Sequence, residues 1–388
     1  MAFLLLSSTL AVEVNGGNSV DHPIIRVKPP SGAGPFRPMW CAPSFNLDAS
    51  SSTKCSREDV EGVDGAFVLH DVLSREEAAQ MIEMSELMGF EDFAGRDGDL
   101  AGRSNKALSW CFHTSLAERL ILRMAPLLPW GVAVHSPGTP TPTADQLPHV
   151  DGRLPWVRQV EGVPEGMYTL DGLNARMRVY RYDSESSDQF LPHYDETWPG
   201  TRLAFHVEGD ETEATLMQDR WKYSDGSTPE ATRAWSWSHP TDRVSHLSTH
   251  SLLEPESFFC SRKLRSARRA SRHLLTRPPV DSSPETSQRT PAVLLYLNDD
   301  FDGGETVLFP GIHDRETPEE GSPRIVVTPR TGSALCFGQS FKFGRARVDH
   351  SADAILHEGV PVKTTGAGSG RKYVIRTDVC YTMPYRRE

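Results

Sequence analysis

No C-x-x-C spacing occurs among the six cysteines of the chain (Cys41, Cys55, Cys111, Cys260, Cys336 and Cys380). That excludes an obvious zinc or dithiol motif and does not fit a dense disulfide framework. Nor is there a run of roughly 20 apolar residues, the length a helix needs to cross a bilayer, so no transmembrane segment is expected. Positive charge is in short supply: 41 Lys and Arg against 52 Asp and Glu give a net charge of −11. This argues against a protein held to nucleic acid over its whole surface by phosphate contacts. The opening stretch "MAFLLLSSTLAVEVNGG" is apolar over residues 2–12 but has no Lys or Arg ahead of that run, which makes it a poor secretory signal. A cytoplasmic location is expected, with passage into the secretory pathway as the alternative; in that second case Cys41 and Cys55 could pair.

What is present is 388 residues, enough for one large or two ordinary domains. Residues 1–62 carry Gly, Pro and Ser clusters such as "KPPSGAGPFRP" and "DASSSTKCS", and read as a loop-rich or disordered leading segment. Order is expected over 63–388, beginning with helical support over about 63–160. There a short strand at 67–69 precedes a helix opened by Ser74 with Glu77 three residues on, a capping box. Ala78, Met81, Ile82 and Met88 follow at helical spacing, and Gly89 is a stop. A second helix is expected over "TSLAERLILRMAPLLP", with Ser115 and Glu118 as another box, Leu116, Leu120 and Met124 on one side, and Pro126 and Pro129 closing it.

From Arg176 the texture changes to short runs rich in β-branched and aromatic residues, among them "RMRVYRYD", "AVLLYLNDD" and "RKYVIRTDVCYTMP". Strands after two helices predict an α+β chain whose second half is a sandwich or barrel. Its core is expected over about 174–207 and 290–384, with N-terminal flanking helices packed outside the sheet. Residues 208–289 break the series and read as a long, partly disordered insertion. Within it, residues 261–277 hold seven Lys or Arg and no acid, which reads as a solvated arm or a local docking patch for an anionic partner.

The stretch "FLPHYDETWPG" places His193 and Asp195 at i and i+2. In a strand those side chains share one face, so the spacing presents an imidazole and a carboxylate side by side. That pair suits Fe(II), Mn(II) or Zn(II) better than Ca(II). A third ligand is offered by His357, in "AILHEGVPV", with His350 as a rival. Beyond a Gly-rich turn, Lys372 opens a return strand and Arg376 shares its face. A cation deep beside a three-ligand metal would pair with the far end of a dicarboxylate that chelates the metal. Tyr180 and Arg178 share the face of Tyr182 and either line the pocket or pack the core. The paired glycines of "DGGET" (302–306) read as a tight inter-strand turn.

The stretches "RVYRYDSESSDQFLPHYDETWPG", "LLYLNDDFDGGETVLFP", "PRTGSALCF" and "HEGVPV…GRKYVIRTDVCY" resemble the 2-oxoglutarate/Fe(II)-dependent dioxygenases, in particular the prolyl 4-hydroxylase-like branch. The resemblance implies a double-stranded β-helix (jelly-roll) core. It implies His193, Asp195 and His357 as iron ligands, and Lys372, Tyr182 and Arg376 as residues for 2-oxoglutarate. The cofactors it implies are Fe(II), 2-oxoglutarate and O2, with ascorbate as an optional reductant. A Gly or Ala in place of Asp195 would have indicated a halogenase; the Asp indicates hydroxylation of an unactivated C–H. The implied partner is a peptide, protein or small-molecule substrate, without a strong case for nucleic acid, and no oligomeric state follows.

Three departures from the family pattern stand out. The 15-residue step from His357 to Lys372 is long, leaving Arg371 and Arg376 as rival anchors. The segment before His357 is expanded, and the 208–289 insertion is large. Two alternatives complete the reading: a non-catalytic jelly-roll or cupin-like binding module, and, with the same chemistry, a nucleic-acid demethylase.

Overall fold

The computed structural model describes residues 22–29, 38–48, 54–92, 103–136, 138–159, 165–195, 200–207, 210–218, 287–312, 318–339, 354–363, 368 and 370–382. Eight strands build the centre: β1 (Arg176–Asp183), β2 (Phe190–His193), β3 (Ser287–Tyr296), β4 (Thr306–Phe309), β5 (Ile325–Val327), β6 (Ala334–Gly338), β7 (Leu356–Gly359) and β8 (Arg371–Thr382). They alternate between two antiparallel sheets. One has the order β1-β8-β3-β6 and the other β2-β7-β4-β5. The chain crosses from sheet to sheet after β1, β2, β3, β5, β6 and β7, which is the winding of a jelly-roll sandwich.

Strand alternation decides what each face of the large sheet does. On one side Tyr180 and Tyr182 of β1, Leu294 and Tyr296 of β3 and Val374 of β8 meet Leu308 and Val327 of the small sheet and Ile355 just ahead of β7. On the other side Met177, Val179, Val293, Leu295, Tyr373 and Ile375 pack under two helices. These are α1 (Arg75–Met88) and α2 (Thr114–Met124). Met81 and Met84 of α1 and Leu116, Leu120 and Met124 of α2 are buried there, each contributing about 1.5–3 kcal/mol by leaving water.

The first helix starts as its sequence indicates: Ser74 and Glu77 form a reciprocal capping box and Gly89 ends it. Glu77 also accepts both arms of Arg123 from α2, each at 2.7 Å, so one carboxylate caps one helix and clamps the other. The second helix departs from expectation. Its N-cap is His113, whose ring accepts from the Ser115 N–H, rather than Ser115 with Glu118. An imidazole nitrogen satisfies the same orphan donor as a hydroxyl, but it is absent from the usual cap list.

The helical flank is also corrected. The protein is mostly β-sheet with few helices, and residues 63–160 contribute Phe67–His70, Lys106–Cys111, Gly131–His135 and Trp156–Gln159 as strands. Lys106–Cys111 pairs with the free edge of β1 and Phe67–His70 with the free edge of β6. The leading segment, read as loop-rich, supplies Ile25–Lys28, Met39–Cys41 and Ser56–Asp59, which extend those edges further. Three- and four-residue strands carry too little periodicity to show in sequence; a sheet edge with unpaired backbone groups is what holds them. The start of the expected insertion is likewise ordered, with Asp210–Gln218 forming a hairpin with Thr201–Val207. Most of that insertion, the basic stretch at 261–277 and His350 lie outside the described residues. No helix among the described residues is long and apolar enough to cross a membrane.

Candidate metal centre

His193 ends β2, and His357 lies directly opposite it on β7 in antiparallel register. Cross-strand partners place their side chains on one face about 5 Å apart at Cβ, and the two ring centroids are 4.3 Å apart. Asp195, two residues beyond His193, completes the group. Its Oδ1 is 3.9 Å from His193 Nε2 and its Oδ2 is 3.7 Å from His357 Nε2. One candidate ligand atom from each residue lies within 4.8 Å of the other two, so the cluster could hold a metal ion.

Each imidazole is oriented from behind. His193 Nδ1–H donates to the Leu191 carbonyl at 2.8 Å, and His357 Nδ1–H donates to the Ile355 carbonyl at 3.0 Å. A carbonyl can only accept, so Nδ1 carries the proton and each Nε2 keeps a lone pair for a ligand. Phe190 stacks on His193 with centroids 3.4 Å apart, and Phe337 meets His357 edge-on at 4.6 Å. Burial, and for His193 also the neighbouring His357, lowers both imidazole pKa values below 6.5 despite the attraction of Asp195. Burial opposes the charge on Asp195, but the Arg376 guanidinium, helped by the two histidines, overrides it and holds the carboxyl well below its usual range. At neutral pH the three groups are therefore two neutral imidazoles and a carboxylate, the protonation states that a divalent metal requires.

The cluster opens on a small recess between the sheets, lined also by Tyr180, Tyr182, Thr306, Lys372 and Arg376. Lys372, directly across from Tyr182 in the β1–β8 register, is 2% exposed. Its Nζ donates to the Gly304 carbonyl at 2.6 Å and lies 5.1 and 5.6 Å from the Tyr182 and Tyr296 ring centres. Burial pulls its ammonium down to about 7, and the field of Glu305 offsets only part of that. Among the described residues no carboxylate forms an ion pair with it.

The glycine pair behaves as the turn expected of it. Gly303 and Gly304 both have positive φ, at 69° and 65°, where glycine alone is comfortable. Asp302–Gly303 pairs with Val362–Lys363, which delivers the Gly304 carbonyl to Lys372.

Of the rival anchors, Arg371 is turned away from the recess. It sits on the opposite face of β8 from Lys372, half-exposed and paired with Asp183 at 3.1 Å. Arg376 does face the recess, but its Nε is 2.9 Å from Asp195 Oδ2, and its Nη2 donates to Gln339 Oε1 at 3.0 Å. Tyr180 lines the recess, with Arg178 behind it donating to its hydroxyl at 3.4 Å. Burial raises the Tyr180 phenol, but Arg178 and Arg103 outweigh that and bring it to about 7.

Sequence reasoning missed Thr306, which is 3% exposed and shares a hydrogen bond of 2.8 Å with the Tyr296 hydroxyl beside Lys372. The signal was there in "ETVLF": Thr306 and Leu308 alternate onto one face, and Leu308 is the register partner of His357.

No family model and no curated protein matches the chain. Among solved structures, it is similar to a prolyl hydroxylase in complex with a hypoxia inducible factor oxygen degradation domain peptide from Trichoplax adhaerens. That likeness has 11% identity and a TM-score of 0.34, and covers 81% of this chain and 84% of the other. A 2OG-Fe(II) oxygenase family oxidoreductase from Burkholderia pseudomallei is similar at 10% identity and a TM-score of 0.29, over 82% and 85% of the two chains. At these TM-scores neither similarity establishes the fold or the activity of this chain.

Proposed function

We propose that the chain is an Fe(II)- and 2-oxoglutarate-dependent dioxygenase that hydroxylates an unactivated C–H bond, with residues 63–388 as its catalytic domain. One observation carries this reading. The same recess holds a two-histidine, one-carboxylate donor set and, across Tyr182, a buried lysine with no carboxylate partner among the described residues. The donor set fits ferrous iron that keeps open positions. The lysine fits the distal end of a dicarboxylate whose other end reaches the metal.

His193, Asp195 and His357 would hold the iron. With iron and 2-oxoglutarate bound, dioxygen converts 2-oxoglutarate to succinate and carbon dioxide while the substrate C–H becomes C–OH. The protein contributes binding, orientation and dryness. The Leu191 and Ile355 carbonyls hold the two Nε2 lone pairs inward. Lys372 would receive the distal carboxylate, with Tyr182 and Thr306 lining the same recess. Leu294 and Val374 wall the recess with apolar surface that keeps out bulk water. For the substrate, the resemblance of these strands to the prolyl 4-hydroxylase-like branch favours a prolyl or other residue of a peptide or protein.

The test is an anaerobic titration of the purified chain with Fe(II) and 2-oxoglutarate, following the weak visible charge-transfer band of the chelate. The band forms in wild type and in His350→Ala, and is lost in His357→Ala. Prolyl peptides are then screened for succinate release with ascorbate as reductant. Absence of the band in folded wild-type protein sinks the oxygenase reading and leaves a binding module.

A further inference from the structure

We propose that Arg376 is a positioning residue for the metal centre: it tethers one oxygen of Asp195 so that the carboxylate is presented to the metal through the other. This inference rests on the metal-centre reading above and divides labour between the two cations of β8, Lys372 for the cosubstrate and Arg376 for the ligand.

The geometry separates them. Lys372, Val374 and Arg376 all face the recess, but Lys372 stands opposite Tyr182 and Arg376 opposite Arg178, four residues further along the strand. At that end Arg376 is 5% exposed and its guanidinium is already held by an ion pair and a hydrogen bond. Nε lies 2.9 Å from Asp195 Oδ2, and Nη2 lies 3.0 Å from Gln339 Oε1 and 3.6 Å from Asp378 Oδ1. To take a cosubstrate carboxylate as well, it would have to abandon a desolvated ion pair, which leaves a buried charge behind.

The partners of Arg376 are themselves fixed. Gln339 donates to Asp378 Oδ1 at 3.0 Å, and Asn174 donates to Asp378 Oδ2 at 3.3 Å. The Thr201 hydroxyl donates in turn to Asn174. Gln339, Asp378 and Asn174 are each 1% exposed. Asp195 and Thr201 lie six positions apart in the sequence. Both residues are tied to one buried network, with Arg376 as the member that touches Asp195. A carboxylate held this way has its rotation set before a metal arrives, as outer partners of metal ligands generally do.

The experiment compares wild type with Arg376→Gln, Arg376→Lys and Gln339→Ala, each checked for folding by its thermal melt without metal. Co(II) affinity and the Co(II) d–d spectrum are recorded. 2-Oxoglutarate affinity is then measured at saturating metal, with Lys372→Met in parallel. Arg376→Gln is expected to lose 10–100-fold in Co(II) affinity, the usual effect of removing such a partner, with an altered d–d spectrum and less than threefold change in 2-oxoglutarate affinity. Arg376→Lys recovers part of the metal affinity. Gln339→Ala, which loosens the guanidinium without removing it, shows a smaller loss in the same direction. Lys372→Met shows the opposite pattern. A tenfold or greater loss of 2-oxoglutarate affinity at saturating metal in Arg376→Gln overturns the assignment, as does wild-type Co(II) affinity with an unchanged spectrum. Failure of folded wild type to bind Co(II) overturns the metal-centre reading itself.

Discussion

His193 and His357, 164 positions apart in sequence, are direct register partners on neighbouring antiparallel strands, with ring centroids 4.3 Å apart. The pairing explains how a chain with no clustered ligand motif builds a compact donor set. One histidine brings Asp195 with it at i+2, and sheet register supplies the other.

Metal binding should stabilise the fold through this pair. A divalent ion at about 100 times its Kd adds roughly 2.7 kcal/mol when only the folded state binds it. Thermal melts of wild type with and without Co(II) should differ by a few degrees. Those of His357→Ala should coincide.

The lowered imidazole pKa values make a prediction about acid. Two ordinary histidines of pKa 6.5 would cost a site more than tenfold in affinity between pH 7.5 and 6.0 as they take up protons. Here burial lowers both imidazole pKa values, so Co(II) affinity should fall by clearly less than that over the same range. Folding stability has the matching sign. The unfolded chain binds protons below pH 6.5 that the folded chain does not, so stability declines as pH falls through that value.

Lys372 predicts linkage of the same sign, displaced to higher pH. Its folded pKa of about 7 lies below the ordinary 10.5, so the unfolded chain holds a proton between pH 7 and 10.5 that the folded chain has released. Its contribution to stability therefore improves as pH rises through that window. Lys372→Met should be more stable than wild type at pH 6, with the advantage shrinking toward pH 10. An anion beside the amine raises its pKa, so 2-oxoglutarate binding at pH 8 should take up a fraction of a proton. Calorimetry in two buffers of different ionisation enthalpy reads this directly.

Gly303→Ala tests the turn that positions Lys372. At φ 69° a side chain is strained, and its Cβ would run into the Pro361 carbonyl. Denaturant unfolding should show a loss of about 1–3 kcal/mol. The displaced Gly304 carbonyl should weaken 2-oxoglutarate binding several-fold while leaving Co(II) affinity near wild type.

Several parts of this site were legible in the sequence, because they depend on period and local chemistry. His193 and Asp195 share a face through the two-residue strand repeat, and the same repeat sets Lys372 and Arg376 on one side of β8 and Arg371 on the other. The Ser74–Glu77 box and the Gly303–Gly304 turn were visible because caps and positive-φ turns are made by neighbours. Other features were decided only in three dimensions. Met39–Cys41 is a strand because an edge was waiting for it, His113 replaced a hydroxyl as a cap, and the side chain of Arg376 lies against Asp195. Periodicity tells a residue which way it points, whereas its partner is fixed by register between strands distant in the chain, and no local pattern encodes that pairing.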